Sequence, residues 1–295
     1  MTGPITAGVD GTDESRAALA WAAREAVRRD VALRVVHAWR FEEHTAAAAA
    51  VGRDVQEAGA REAVRAAVED IGARHPGLAV TTEVVAGDDP AETLLAAAAD
   101  AGTLVLGSRG HGAVVGFLLG SVGQQVVAGA RCPVVLVRAG DSPAAEVAGH
   151  EIVVGQDGDP EDSAAVLRFA FETAAARGAA VRAVRAWTLP PVFAYSPASL
   201  KLLDDAGGLE PYERKALAEA LAPWRERFPG VHVVEHVEIG SAGQVLLSVA
   251  GRAQLVVVGG RAPRTAGGAR GGTAAPSVVE HAGCPGAGVP PGGGA

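Results

Sequence analysis

The sequence predicts an α/β protein made of two tandem units, each an open, doubly wound parallel sheet of five strands. Three observations carry this. Short valine-rich runs without polar alternation recur along the chain, as expected of parallel strands covered on both faces. Helical patterns lie between them. The whole arrangement occurs twice, with its landmarks in the same order. A repeat period of this size means duplicated domains and not a short-unit solenoid. A length of 295 residues suits two domains of ordinary size.

In the first copy the expected strands are Ile5–Val9, Leu33–Trp39, Val80–Ala86, Leu104–Gly107 and Val134–Val137. Leu19, Ala22, Ala23 and Ala26 keep the i, i+3, i+4, i+7 spacing of one buried helix face, and so do Ala91, Leu94, Leu95 and Ala98. Pro90 suits the first turn of its helix. In the second copy Val166, Phe169, Ala170 and Thr173 repeat the spacing. Strand–helix alternation with right-handed crossovers gives the doubly wound sheet. Ligands on such sheets sit at strand carboxyl ends near the switch point. Asp10, Ala38 and Gly107 fall at such ends and are expected to line one crevice.

The repeat is visible residue by residue. Ile5-Thr6-Ala7-Gly8-Val9-Asp10-Gly11 matches Ile152-Val153-Val154-Gly155-Gln156-Asp157-Gly158, and Ser15 corresponds to Ser163 after one insertion. Val35-Val36-His37-Ala38-Trp39 matches Ala183-Val184-Arg185-Ala186-Trp187, and Val84-Val85-Ala86-Gly87 matches Val237-Glu238-Ile239-Gly240. Gly107, Gly110, Gly120 and Ser121 form G-x-x-G-x9-G-S, and Gly259, Ala262, Gly272 and Thr273 keep the same intervals with one glycine changed. Each set precedes a Cys-Pro pair, at Cys132 and Cys284, by the same interval. A glycine loop leaving a strand, followed by small residues opening a helix, lets backbone N–H groups surround an anion. The expected domains are residues 1–140 and 149–295, joined through the small, polar stretch from Ala139 to Gly149. The second copy ends in Gly286-Ala287-Gly288-Val289-Pro290, a composition poor for a strand.

Composition narrows the function. The formal net charge is -8 with no basic run, which leaves nucleic-acid binding without an electrostatic footprint. No stretch reaches the roughly 18–20 apolar residues that span a bilayer. Met1-Thr2-Gly3 opens without the charged and apolar regions of a secretion signal. Two cysteines at equivalent repeat positions look inherited, not paired. The expectation is a reducing, cytoplasmic setting. A P-loop, a dinucleotide G-x-G-x-x-G, a zinc motif and a nucleophile elbow are all missing. Asp88, Asp89 and Glu92 read as the acidic start of a helix before they read as a metal site. His37 reads as a satisfied core histidine, and Asp10 as either a cap or a ligand contact.

These residues resemble the universal stress protein family in its tandem two-domain form. The resemblance rests on G-x-x-G-x9-G-S at Gly107–Ser121, on Val9-Asp10-Gly11, on Val36-His37-Ala38 and on Cys132-Pro133-Val134-Val135. The spacing is similar to that of the ATP-binding branch. The resemblance implies a Rossmann-like, adenine nucleotide alpha hydrolase-like fold in each domain. It implies ATP, with Mg2+ held through the phosphates, and a stress-response regulatory role without catalysis. It implies homodimerisation, or pairing of the two domains within the chain, through the last strands. Carried over by position, Gly8, Val9 and Asp10 would lie near base and ribose, and Ala38 near adenine. Gly107, Ser108, Arg109, Gly110, His111, Gly112 and Ala113 would wrap the phosphates, closed by Gly120, Ser121 and Val122. The second-copy counterparts are Gly155, Asp157, Ala186, Gly259, Gly260, Arg261, Gly272 and Thr273. There Ala262 brings a Cβ and Pro263 removes a donor. Two alternatives stand on the same fold: a slow ATPase or phosphoryl/nucleotidyl transferase, and a scaffold with a vestigial pocket.

Overall fold

The computed structural model describes residues 3–40, 52–108, 121–140, 151–189, 208–259, 278–279 and 281–292. The chain forms two units, Met1–Asp141 and Ser142–Ala295. Unit 1 runs β1 (Ile5–Gly8), α1 (Asp13–Arg29), β2 (Leu33–Trp39), α2 (Arg53–Arg74), β3 (Val80–Ala86), α3 (Pro90–Ala97), β4 (Thr103–Ser108), α4 (Ser121–Gly129) and β5 (Val134–Arg138). Its strands lie in the order β3-β2-β1-β4-β5. Every pairing is parallel, with Ile5 opposite both Leu33 and Thr103. The strand order therefore reverses at β1, and a crevice opens between the carboxyl ends of β1 and β4.

Unit 2 runs β6 (Glu151–Gly155), α5 (Ala164–Arg177), β7 (Ala180–Trp187), α6 (Glu210–Arg227), β8 (Val233–Ile239), α7 (Ala242–Val249), a 3-10 turn (Ala250–Arg252), β9 (Ala253–Gly259) and β10 (Gly286–Val289). Its order β8-β7-β6-β9-β10 repeats that of unit 1, again with parallel pairs. The doubly wound α/β architecture expected from the sequence is the one observed.

The valine runs are the cores of both sheets. Leu104, Val105, Leu255, Val256 and Val257 are fully buried. The helix faces read from periodicity are buried too: Leu19, Ala22, Ala23 and Ala26 in α1, and Val166, Phe169, Ala170 and Thr173 in α5. Local signals set the helix ends. Thr12 caps α1, which carries Asp13 and Glu14 in its first turn and Arg28 and Arg29 in its last. Pro90 opens α3 behind the Asp89 cap, whose carboxylate accepts from the Ala91 N–H at 2.8 Å. Asp89 and Glu92 of the acidic stretch thus stand at a helix start. Among the described residues no group of three or more candidate metal ligands occurs.

The glycine-rich last segment does form a strand. Residues Gly286–Val289 pair with β9 and are buried throughout. A Cβ on Gly286 would lie 2.9 Å from Val279 atoms, so packing demands glycine there despite its low strand propensity.

Gly107, at the end of β4, is held by a similar constraint. A Cβ there would meet the backbone of Glu14 and Ser15 at 2.6–2.7 Å. At its repeat partner Gly259 the nearest atom among the described residues, on Val166, lies at 4.0 Å. Gly107→Ala is therefore expected to destabilise unit 1 by about 1–3 kcal/mol through overpacking against backbone. Gly259→Ala should stay within about 0.5 kcal/mol of wild type. Equilibrium denaturation of both variants checks this, and equal costs would contradict the packing assignment.

Candidate functional site

A cavity of about 390 Å³ opens at the carboxyl ends of the unit 1 strands. β1 and the turn after it supply Gly8, Val9, Asp10 and Thr12, and the first turn of α1 supplies Glu14 and Ser15. Ala38 comes from β2, Leu106, Gly107 and Ser108 from β4, and Leu136 from β5. Pro90 and Leu94 of α3 and Ser121, Val122 and Gly123 of α4 complete the lining. The topology explains the meeting of these residues. A Cβ on Gly107 would run into α1, whereas one on Gly8 would run into Leu106 and Leu94. Helices thus cover both faces of the sheet, and their N-termini converge where the strand order reverses.

Three helices described here, α1, α3 and α4, open onto the cavity at their N-terminal turns. First-turn N–H groups lack intrahelical partners and carry the positive end of the helix dipole. In α1 the Thr12 hydroxyl takes the Ser15 N–H at 3.2 Å. Ser121, Val122 and Gly123 bring the start of α4 to the wall, the usual setting for an anion. Among the described lining residues the charged side chains are Asp10 and Glu14. Among the described residues, the groups at this wall that favour an anion are the backbone N–H groups of the helix starts.

Asp10 shapes the turn into α1. Its Oδ1 accepts from the Thr12 N–H at 3.0 Å and the Thr12 hydroxyl at 2.6 Å, while its own N–H donates to Ser15 Oγ at 3.3 Å. Burial pushes the Asp10 carboxyl up, but the Thr12 hydrogen bonds, with help from Ser15 and His37, hold it below its ordinary value. Nδ1–H of half-buried His37 donates to the Val9 carbonyl at 2.6 Å, which ties β2 to the end of β1. That is a structural role. Ser108 is 5% exposed, and its Oγ finds no hydrogen-bond partner among the described residues.

All the first-copy candidates that the structure describes line this one cavity: Gly8, Val9, Asp10, Ala38, Gly107, Ser108, Ser121 and Val122. Arg109, Gly110, His111, Gly112, Ala113 and Gly120 lie outside the described residues. Motif reading missed Thr12, Glu14, Leu94, Gly123 and Leu136. The Thr12-Asp13-Glu14-Ser15 start of α1 was a readable helix-start signal, whereas Leu94 and Leu136 reach the cavity only through the fold.

The second copy is built differently at the same place. Gly155, Asp157, Ala186 and Gly259 are described; Gly260, Arg261, Gly272 and Thr273 lie outside the described residues, as do Ala262 and Pro263. Gln156 and Arg185 stand where Val9 and His37 stand in the first copy. Buried Gln156 accepts from Arg185 Nη1 at 2.6 Å and donates to the Gly158 carbonyl at 3.1 Å and to Ser163 Oγ at 3.3 Å. Arg185 Nε donates to Glu213 of α6 at 2.6 Å. Asp157 accepts from the adjoining Gly158 N–H at 2.8 Å, in place of the longer Asp10–Thr12 turn. The Gln156 amide thus has its hydrogen bonds within the protein.

Comparison with known proteins agrees with this duplicated plan. The model of the universal stress protein family matches residues 1–138 and again 150–289. A universal stress protein of Mycolicibacterium smegmatis is 35% identical over 270 residues, covering 86% of each chain. One from Mycobacterium tuberculosis strain H37Rv is 32% identical over 274 residues, again covering 86% of each. Among solved structures, a universal stress protein from Archaeoglobus fulgidus superposes with a TM-score of 0.70 at 18% identity, covering 98% of both chains. A functionally unknown protein from Pseudomonas aeruginosa PAO1 gives 0.61 at 16% identity, covering 97% of this chain and 92% of its own. The structural matches speak to the fold.

The geometry at Asp10 has a pH signature. Its carboxyl titrates lower in the folded chain than the ordinary 3.8, so the unfolded chain binds more protons between the two values. Its contribution is fully present above pH 3.8 and is lost as pH falls through the folded value. Wild type should exceed Asp10→Ala in stability by a constant margin from pH 5 to 7, and the margin should shrink below pH 3.8. Urea denaturation across pH measures it; a margin that grows on acidification would contradict the hydrogen-bond assignment.

Proposed function

We propose that the chain, which belongs to the universal stress protein family, is a cytoplasmic regulatory protein that holds one adenine nucleotide, ATP with Mg2+, in its N-terminal unit. The observation that carries this is the meeting of the described first-copy motif residues in one cavity faced by three helix N-termini. The wall chemistry fits such a ligand. Val9, Ala38, Leu94 and Leu106 offer an apolar surface to a base, and Asp10 offers an acceptor to ribose hydroxyls. The start of α4, with the Ser121 hydroxyl, offers donors to phosphate. The volume lies within the usual range for small-molecule sites. Mg2+ enters this reading through the phosphates, whose charge it lowers beside Asp10 and Glu14.

Regulation follows from linkage. A nucleotide present at about 100 times its Kd adds about 2.7 kcal/mol to the bound form and shifts conformation or assembly accordingly. Dimerisation through a last strand belongs to the same proposal. Catalysis does not. Hydrolysis needs an oriented water and stabilisation of leaving-group charge, and the sequence holds neither a P-loop lysine nor a recognisable base–nucleophile pair.

Calorimetric titration with Mg-ATP is expected to give one strong site per chain at roughly micromolar affinity, near -8 kcal/mol. Ala38→Phe, which fills the cavity from β2, should weaken binding by about ten-fold or more, or about 1.4 kcal/mol. Two equal sites, or affinity unchanged by Ala38→Phe, would contradict the assignment. Phosphate release should run slower than about one per minute. Turnover near 1 per second, the low end of the kinase range, and lost in Ala38→Phe would make the chain an ATPase.

A further inference from the structure

We propose that a groove at the amino ends of the unit 1 strands is a docking site for a partner protein, and that it takes an aromatic side chain carried next to a lysine or arginine. The proposal is independent of the nucleotide reading.

The groove has a volume of about 500 Å³. It lies between the end of α1, with the turn into β2, and the end of α2, with the turn into β3. The nucleotide cavity is at the other end of the same sheet. Val27, Val31 and Leu78 give the groove an apolar wall, and Val27 is 50% exposed. Asp30 and His75 are its polar members.

The second copy shows what kind of group fills this place. Arg74-His75-Pro76-Gly77 matches Arg227-Phe228-Pro229-Gly230. The two turns are built alike. The His75 N–H donates to the Ile71 carbonyl at 2.8 Å, and the Leu78 N–H to the His75 carbonyl at 3.0 Å. The Phe228 N–H donates to the Trp224 carbonyl at 2.9 Å, and the Val231 N–H to the Phe228 carbonyl at 3.0 Å. Backbone angles agree as well, with φ -133° and ψ 68° at His75 against φ -127° and ψ 65° at Phe228. In unit 2 the Phe228 ring lies 5.9 Å from that of Phe171 on α5 and 6.4 Å from that of Trp224 on α6. Unit 1 has His75, Ala23 and Ile71 at these three positions. The rings that join the two helix ends in unit 2 are thus missing from unit 1. An aromatic ring brought by a partner supplies the same flat apolar surface, and such rings are common interface anchors.

Charge selects what flanks the ring. Asp30 is the only non-glycine residue with a positive φ, 52°, among the described residues. Its repeat partner is Gly178, at φ 63°. Glycine is the usual residue for such a helix end, and a side chain there is strained. The exposed Asp30 carboxylate enters no ion pair among the described residues. The neighbouring cations are engaged elsewhere: Arg28 and Arg29 with Glu25, and Arg74 with Asp70. The carbonyl ends of α1 and α2 add negative potential at the same place. A basic residue beside the aromatic anchor complements this field.

The test is an NMR titration of the labelled full chain with the dipeptide acetyl-Phe-Arg-amide. The amides of Val27, Asp30 and Gly77 should shift and saturate in the millimolar range, whereas acetyl-Ala-Arg-amide should leave them in place. Asp30→Gly keeps the left-handed turn, as Gly178 does in the repeat, and so keeps the fold. It should bind acetyl-Phe-Arg-amide about three-fold more weakly, the scale of an exposed ion pair, and lose its preference for that dipeptide over acetyl-Phe-Glu-amide. His75→Trp supplies the ring from the chain itself and should bind neither. Absence of shifts at these amides in the folded wild type overturns the proposal, and so do equal shifts with the alanine dipeptide. A preference for arginine that survives in Asp30→Gly overturns the charge assignment. Shifts of the same amides with protein concentration alone would make the occupant a second copy of the chain and overturn the partner assignment.

Discussion

The contact on which the N-terminal site depends is the seating of α1 against the end of β4. The backbone of Glu14 and Ser15 comes so near Gly107 that a single methyl group would fall at 2.6 Å. This closeness brings the first turn of α1 to the cavity wall and places Glu14 and Ser15 among its lining residues. It also fixes the turn in which Asp10, Thr12 and Ser15 exchange hydrogen bonds. The glycine at that position first serves helix–sheet packing. Room for a ligand at the same strand end follows from the packing.

Duplication lets the two units act as each other's control. They share strand order, parallel pairing and the buried faces of their first helices. They differ where the strands end. Where Val9 gives the first unit an apolar wall, Gln156 is buried and held by Arg185, Ser163 and the Gly158 carbonyl. Where Gly107 is gripped by α1, Gly259 meets no described atom closer than 4.0 Å. The sheet tolerates these changes because its stability comes from the valine interior, which both copies keep. The expectation of one functional site rests on this divergence at the carboxyl ends.

Much of the fold was legible because buried parallel strands leave an unmistakable trace in valine and leucine runs. α1, α3 and α5 were legible because each buries a continuous face. α2 was harder: of its 22 residues only Val64 and Ile71 are buried, too few to show a period. α6 likewise buries Leu217, Ala220 and Leu221. The strand at Gly286–Val289 was obscured by its own composition, since its glycine answers to Val279 and not to strand propensity. The site divides in the same way. Its glycines and strand-end residues belong to local patterns and could be read. Leu94, Leu106 and Leu136 face the cavity because of crossover handedness and sheet order, which act over long sequence distances.

The central claim is that one chain carries one nucleotide, intact, in its N-terminal unit. Native mass spectrometry of the full chain, after incubation with Mg-ATP and removal of excess ligand, tests it most directly. The account predicts a single added mass equal to one adenine nucleoside triphosphate per chain, absent from the Ala38→Phe variant. Two added nucleotides, a hydrolysed product, or no added mass would contradict it.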